Sequence, residues 1–439
     1  MVRTIKADGR TEYEILAEIA GRCADDSTPG AASDVERSVG AIIEAVRLRG
    51  DEAVREYGLK FDGFSPDQLV LTREDMKAGY DAAPKGFIRA ILHAAENIRT
   101  YHEKQVQHGY EEKRGDGVVI GQIVRGMDRV GLYVPGGTAA YPSTVLMNAI
   151  PAKLADVGEL VMATPPRKAV AGRDPHGLPA EILAAAFVAG VDKVILAGGA
   201  QAVAALAYGT DTFPKVDKIV GPGNVYVATA KRMLYGLVDI DMIAGPSEIL
   251  IIADGSAPPA YAAADMLSQA EHDPMASSIL LTTSADVAER VAREIEAQIE
   301  TLERREIAAR SLERNGLIAL CRSEDEMVDV ANAAAPEHIE ILTDDPLGLV
   351  PRIRNAGSVF CGPYSPEPLG DYYSGTNHVL PTSGTAKYAS PLGVYDFVKR
   401  MSYTYYTREA LEAAKDDIIE IGEAEGLTAH AAAVKKRFG

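Results

Sequence analysis

Apolar and polar residues alternate along this chain with two distinct periods, and the changes of period divide it. Over the first 110 residues the apolar positions recur at helical spacing, in SDVERSVGAIIEAVRLRGDEAVREYGLKFDG and again in PKGFIRAILHAAENIRTYHEKQ, which predicts a mainly helical opening. After GDGVVIGQIVRGMD the texture changes. Four apolar segments follow, each reaching glycines: RVGLYVPGGTAAYPSTVLMNAIPAKLA, DKVILAGGAQAVAALAYG, DKIVGPGNVYVATAKRML and IDMIAGPSEILIIADG. In the first three a short β-type run meets a Gly turn and yields to an Ala-rich helical pattern, as βα units in a parallel sheet covered on both faces require. A second series runs SSILLTTS, one long charged helix (ADVAERVAREIEAQIETLERREIAARSLERNG), LIALCRS, EDEMVDVANAAAPE, HIEILT and GSVFCGP. The expected fold class is α/β, with two doubly wound parallel-sheet units on one chain. The stretch GPYSPEPLGDYYSGTNHVLPTSGTAKYASPLGVYDF reads as a long ordered loop, a kind of segment that tends to carry function. The last 40 residues read as helical, with Gly426 suited to a helix C-cap and Thr428 to the N-cap of a final short helix.

Composition narrows the function classes. A chain of 439 residues, 47% apolar and 25% charged, is long enough for about three domains with well-buried cores. The apolar stretch 181–209 is interrupted by Asp192–Lys193 and by glycines, and the start MVRTIKADGR lacks the apolar segment of a secretory signal. No membrane association is expected, and the cytoplasm is the expected location. The formal charge of −18, with no long Lys/Arg block, disfavours nucleic acid. It leaves room for a phosphate-bearing cofactor held by backbone N–H groups and helix N-termini. Cys23, Cys321 and Cys361 are scattered without a CxxC, so reduced thiols are expected in place of a disulfide framework or a Cys-rich zinc site.

Candidate chemistry begins at the glycine turns. PGGTA (135–139), AGGAQA (197–202) and GPGN (221–224) suit a dinucleotide at the carboxyl ends of strands. None is GxGxxG and no GxxxxGK[ST] is present, so plain tight turns account for the pattern equally well. In SQAEHDP, Gln269 and His272 are three apart and share one helical face. Of the eight histidines, His93, His102, His108 and His176 lie in polar surroundings and read as surface imidazoles. His272, His338, His378 and His430 have more distinctive settings. Gln269, His272, Asp371 and His430 together would offer two imidazole nitrogens, a carboxylate and an amide oxygen, a set that zinc accepts although a Gln ligand is unusual. Spacing alone does not bring those segments together. The Glu337–His338 pair in APEHIEIL suits proton transfer, and a solvent-facing pair at a strand edge is the plain alternative.

The glycine segments, with SQAEHDP, APEHIEIL, GPYSPEPLGDYYSGTNHVLPT, SPLGVYDFVKR and AEGLTAH, closely resemble the histidinol dehydrogenase family, in order from about residue 40 to the C-terminus. The resemblance implies a zinc-dependent enzyme that uses two NAD to oxidise L-histidinol to L-histidine through bound L-histidinaldehyde, the last step of histidine biosynthesis. Matched position by position, it implies zinc ligands at Gln269, His272, Asp371 and His430, and an acid/base pair at Glu337 and His338. Ser247, His378 and Glu425 match substrate contacts, with the zinc ligands beside them, and Tyr133, Gln201 and Asn224 match NAD contacts. It further implies an intertwined homodimer in which Glu425 and His430 complete the partner's site.

In domain terms the expectation is two doubly wound, incomplete Rossmann-like domains with small helical N- and C-terminal segments. The boundaries are 1–28 for an N-terminal helical segment, 29–132 plus 249–392 for the domain with the catalytic and metal residues, 133–248 for the NAD domain, and 393–439 for the C-terminal helical segment. In the implied chemistry zinc mainly anchors the substrate, His338 takes the alcohol proton as hydride leaves, and water activated by Glu337 attacks the aldehyde. No cysteine falls in the matched catalytic blocks, which favours this water route over a thiohemiacetal. The rivals are a relative of the same family acting on another polyol, such as a sulfonated propanediol, and a non-redox protein that keeps the fold.

Overall fold

The period of two is visible in which residues share a cluster. In the strand Arg129–Tyr133, Val130 and Leu132 enter one apolar cluster and Tyr133 the cluster on the opposite face. In Glu159–Thr164, Leu160 and Met162 divide from Val161 and Ala163 in the same way. Strands buried on both faces are what helices on each side of a parallel sheet demand. The structure, a computed structural model, describes residues 2–23, 31–136, 141–167, 177–243 and 245–439.

In chain order the strands are β1 (Arg3–Lys6), β2 (Val70–Leu71), β3 (Tyr110–Lys113), β4 (Val118–Gly126), β5 (Arg129–Tyr133), β6 (Glu159–Thr164), β7 (Lys193–Leu196) and β8 (Lys218–Val220). They continue as β9 (Asp239–Ile240), β10 (Glu248–Ala253), β11 (Ser277–Thr282), β12 (Gly316–Leu320), β13 (His338–Leu342), β14 (Ser358–Cys361) and β15 (Val398–Tyr406). The first sheet has the order β2-β7-β6-β5-β8-β9, parallel except for β2 against β7. The second has the order β1-β12-β11-β10-β13-β14 and is parallel throughout. In both, the strand order reverses beside a central strand, between β5 and β8 and between β10 and β13. Both expected doubly wound sheets are therefore present, and they repeat one topology. A small antiparallel sheet, β15-β4-β3, forms an arm with the helices Arg408–Ala424 and Thr428–Lys435.

The packing divides the chain differently from the expected boundaries. Helices Arg73–Ala82 and Lys85–His102 place Met76, Ile91 and Ile98 in the same cluster as Leu132 and Met162, and helix Ala31–Arg49 packs on the opposite face of that sheet. Residues 31–102 thus pack on the first sheet, while the helix Lys85–His102 also meets the expected partner segment 249–392, Asn97 Nδ2 donating to the Tyr373 carbonyl. The opening segment is not purely helical either: β1 pairs with β12 and extends the second sheet, and helix Glu12–Cys23 lies on that sheet through Ile15.

Local differences have local causes. The C-terminal segment, read as helical, begins with the nine-residue strand β15; its VKRMSYTYY is rich in strand-favouring Val, Thr and Tyr, but its mostly exposed faces leave no apolar alternation to read. The charged segment is two helices, Ala285–Gln298 and Arg305–Asn315, broken where Leu302 takes an extended conformation. A single helix over that span would be about 45 Å long; the break lets Val291, Ile295, Ala308 and Leu312 share one cluster. Leu427, not Thr428, caps the final helix, and Gly426 takes the left-handed conformation at φ 73°. His102, expected at the surface, is fully buried, with Nδ1 2.9 Å from the Ile98 carbonyl. His176 lies outside the described residues.

Leu71, fully buried in β2, tests the placement of residues 31–102 on the first sheet. Leu71→Ala is expected to destabilise the protein by about 2–5 kcal/mol, read as a lower urea midpoint, whereas Leu48→Ala on the exposed face of its helix should stay within about 0.5 kcal/mol of wild type.

Candidate active site

The switch point of the first sheet carries the expected cofactor residues. Tyr133 ends β5, and its hydroxyl accepts the Gly199 N–H at 2.9 Å; burial pushes that hydroxyl up to about 12. Gly199 opens the helix Gly199–Tyr208, in which the buried Gln201 has an Oε1 without a hydrogen-bond partner. Asn224 caps the helix Val225–Leu234, its Oδ1 accepting the N–H groups of Tyr226 (3.1 Å) and Val227 (3.2 Å), which leaves its amide N–H2 out of the cap. The turn before it needs glycine: Gly221 has φ +109°, and a Cβ there would lie 2.1 Å from the Tyr133 carbonyl oxygen. Tyr133, Gln201 and Asn224 line one cleft of about 910 Å³, together with Asp62, Pro135 and Gly136. The remainder of the 135–139 turn lies outside the described residues.

A second cleft of about 800 Å³ adjoins the first, and Asn224 and Pro135 line both. Ser247, Gln269, His272, Glu337, His338, Asp371 and His378 line it. Ser247, Glu337 and His338 sit at the amino ends of β10 and β13, Gln269 and His272 at the carboxyl end of the helix Pro259–Ala270 that returns to that edge, and Asp371 and His378 on the helix Glu367–Tyr372 and the loop after it. The carboxyl edge of one sheet thus faces the amino edge of the other across the paired clefts.

Burial dominates the electrostatics. His338 is pushed down to about 4 by desolvation, against the charge of Asp371, which pulls it up. Its Nδ1 lies 3.0 Å from the Glu248 carbonyl oxygen. A carbonyl only accepts, so Nδ1 carries the hydrogen and Nε2 is left as the basic nitrogen. Glu337 is pushed up to about 8 by burial, and its Oε2 accepts the Glu248 N–H at 3.0 Å. Burial also raises Asp371, but the hydrogen bond and charge of His378, with the charges of His338 and His272, outweigh it and leave the carboxyl below its ordinary value. His378 Nδ1 is 3.3 Å from Asp371 Oδ1.

Three of the expected ligand residues share this cleft. Gln269 is buried, and its Oε1 has no hydrogen-bond partner. His272 sets Nδ1 3.0 Å from the Ser268 carbonyl oxygen, which leaves Nε2 as a ligand atom. With the Asp371 carboxylate these supply one nitrogen and two kinds of oxygen, a donor set that fits zinc. Among the described residues another trio, His338, Glu367 and Asp371, has ligand atoms within 4.8 Å of one another. Glu367 was missed in the sequence. It stands four residues before Asp371 on the short helix Glu367–Tyr372, its Oε1 is 3.9 Å from His338 Nε2, and burial pushes it up to about 9. The i,i+4 spacing in PEPLGDY was the available signal. Glu425 and His430 line neither cleft: both are exposed on the C-terminal arm.

These features define a class: an enzyme of two doubly wound domains with paired clefts, one lined by glycine turns and one by a buried Glu-His pair. The histidinol dehydrogenase family profile matches residues 27–438. The chain is 51% identical over 431 residues to histidinol dehydrogenase from Clostridium acetobutylicum, covering 98% of this chain and 97% of that one. It is 52% identical over 404 residues to the Streptococcus mutans enzyme of the same name, covering 92% and 93%. The crystal structure of histidinol dehydrogenase from Elizabethkingia anophelis superposes with a TM-score of 0.86 at 36% identity, covering 92% of each chain. The chain belongs to the histidinol dehydrogenase family, and is thereby an NAD-dependent oxidoreductase.

Neither cysteine with a described side chain is placed for catalysis. Cys321 and Cys361 line neither cleft, and burial raises both thiols, Cys321 to about 12, opposite to what a nucleophile needs. The double variant Cys321→Ala/Cys361→Ala is expected to keep steady-state turnover within about threefold of wild type, since neither thiol is activated; a thiol-dependent aldehyde step would instead abolish it.

Proposed function

We propose that this chain oxidises L-histidinol to L-histidine through bound L-histidinaldehyde, with two NAD consumed and zinc held by Gln269, His272 and Asp371. The observation that carries the reading is the Gln269 oxygen, buried and without a hydrogen-bond partner, in the same cleft as His272, Asp371 and a neutral His338. An orphaned buried acceptor is costly unless something meets it. We prefer this set over His338, Glu367 and Asp371 because His338 is the group suited to proton transfer, and because the other set would leave the buried Gln269 oxygen without a partner.

Each oxidation removes a hydride from the same carbon and a proton from an oxygen bonded to it. In the first, His338 Nε2 takes the alcohol proton, while the Glu248 carbonyl fixes the tautomer through Nδ1–H. In the second, Glu337, whose carboxyl at about 8 is poised near neutral pH, acts in its deprotonated form to take a proton from the water that attacks the aldehyde carbon, and the hydrate so formed gives up the second hydride. Zinc, when bound, supplies a positive centre that anchors the imidazole and amine of histidinol, and NAD, when bound, supplies the hydride acceptor. Tyr133, Gln201 and Asn224 line the cleft that would receive NAD, and Ser247 and His378 the cleft that would receive substrate.

Glu425 and His430 stand outside both clefts, so in this reading a second copy of the chain supplies them and the enzyme is an intertwined homodimer. The exposed Ile418, Ile421 and Leu427 of the same arm support that assembly. We place the enzyme in the cytoplasm with a small-molecule substrate and no nucleic acid; no described helix is long and apolar enough to cross a membrane.

Zinc-loaded protein is expected to form NADH with L-histidinol and not with dihydroxypropanesulfonate. No turnover of L-histidinol would end the reading, and turnover of the sulfonate alone would move the chain to a sister activity. His338→Asn should lower kcat by about 10²–10⁴-fold while metal analysis shows its zinc retained. His272→Ala should lose the zinc and Glu367→Gln keep it; the reverse pattern would make His338, Glu367 and Asp371 the metal site.

A further inference from the structure

The second cleft holds an ion pair that no motif of the chain announces. Lys231, on the helix Val225–Leu234, and Asp241, just after β9, have side chains only 3% and 1% exposed. Both line the second cleft. The Lys231 ammonium donates to Asp241 Oδ1 and to the Gly221 carbonyl, the latter at 3.0 Å. Asp241 Oδ2 accepts the Gly221 N–H at 2.7 Å, and Oδ1 accepts the Met242 N–H at 2.6 Å.

The two side chains therefore grip residue 221 at both its N–H and its C=O, in a turn whose φ of +109° no ordinary residue holds easily. Three residues on stands Asn224, which lines both clefts. On the other side, the Met242 N–H ties the pair to the segment that leads to Ser247 and Glu248. A buried ion pair is a poor way to gain stability, because desolvating both charges consumes most of the attraction between them. Its particular capability here is directional, since it fixes the orientation of the two peptide groups that flank Gly221.

We propose that Lys231 and Asp241 are positioning residues that hold the Gly221–Asn224 turn in register with the cofactor cleft. The inference rests on the reading of that cleft as the NAD site. The pair touches neither cofactor nor reacting atoms in this account; it acts through Gly221 on Asn224.

The test is a double-mutant cycle on the zinc-loaded enzyme. Lys231→Met and the near-isosteric Asp241→Asn are each made alone and with Asn224→Ala, and NAD affinity is measured by kinetics and by calorimetric titration. Each single variant should raise the KM and Kd for NAD by about ten- to a hundredfold, the scale on which misplaced groups act. Zinc content and the KM for L-histidinol should stay at wild-type values, and Lys231→Arg should recover part of the loss. Adding Asn224→Ala should then cost little more, because both changes act on one contact. The proposal is overturned if Asp241→Asn folds and keeps wild-type NAD affinity, or if its effect multiplies with that of Asn224→Ala, since a general packing role does either. Were the wild-type protein to bind NAD but turn over no L-histidinol, the function reading would fail while the titration arm still judged the pair.

Discussion

The backbone of one residue, Glu248, sets the geometry of the Glu337–His338 pair. The Glu248 N–H donates to Glu337 Oε2, and the Glu248 carbonyl accepts from His338 Nδ1, so one residue of β10 fixes both members of the Glu-His pair at the start of β13. This depends on register. β10 and β13 pair with Ile249 opposite His338, which places Glu248 just beyond the first paired residue. A slip of one residue would turn His338 to the opposite face of the sheet. The register is held in turn by Ile249, Ile251, Ile339 and Ile341, all fully buried in the apolar layers on either side. Packing far from the cleft therefore decides which nitrogen of His338 is basic.

The opposed sheet edges follow from the same economy. The first sheet offers what carboxyl ends of parallel strands generally offer, glycine turns and helix N-termini that suit a phosphate-bearing ligand. The second offers its amino edge, where helix C-termini arrive and where Gln269 and His272 end up. Negative helix ends favour a cation there. The two edges are chemically unlike, and their apposition sets glycine turns and helix N-termini against helix C-termini without any single motif spanning both.

That arrangement explains what the sequence made legible. The βα texture and both doubly wound sheets were readable because strands covered on two faces are continuous apolar runs, as in KVIL and EILIIA. Most site residues were readable only through family likeness, because Gln269, Glu337 and Asp371 lie far apart in sequence and meet through topology. The short β1 and β2 escaped because four and two residues carry no usable period. The attachment of residues 31–102 escaped because amphipathic helices announce that they will pack and not against which sheet. Lys231 and Asp241 escaped for a different reason: in sequence a Lys on an Ala-rich helix and an Asp after a strand look solvated, and only tertiary packing buries them.

The long loop after β14 shows how a buried carboxyl can serve as structure. Glu340 stands two residues after His338 on the same strand and therefore on the same face, 1% exposed. Burial pushes it up to about 9, so at neutral pH it is an uncharged hydrogen-bonding group and escapes most of the cost of a buried ion. Its Oε1 accepts the Glu367 N–H at 2.8 Å, at the start of the helix that carries Glu367 and Asp371. A charged residue at this position would be expensive, and an apolar one would leave that N–H without a partner. The strand that carries His338 thereby also anchors the loop that brings Asp371 to it, so one register sets the Glu337–His338 pair and the carboxylate beside it together.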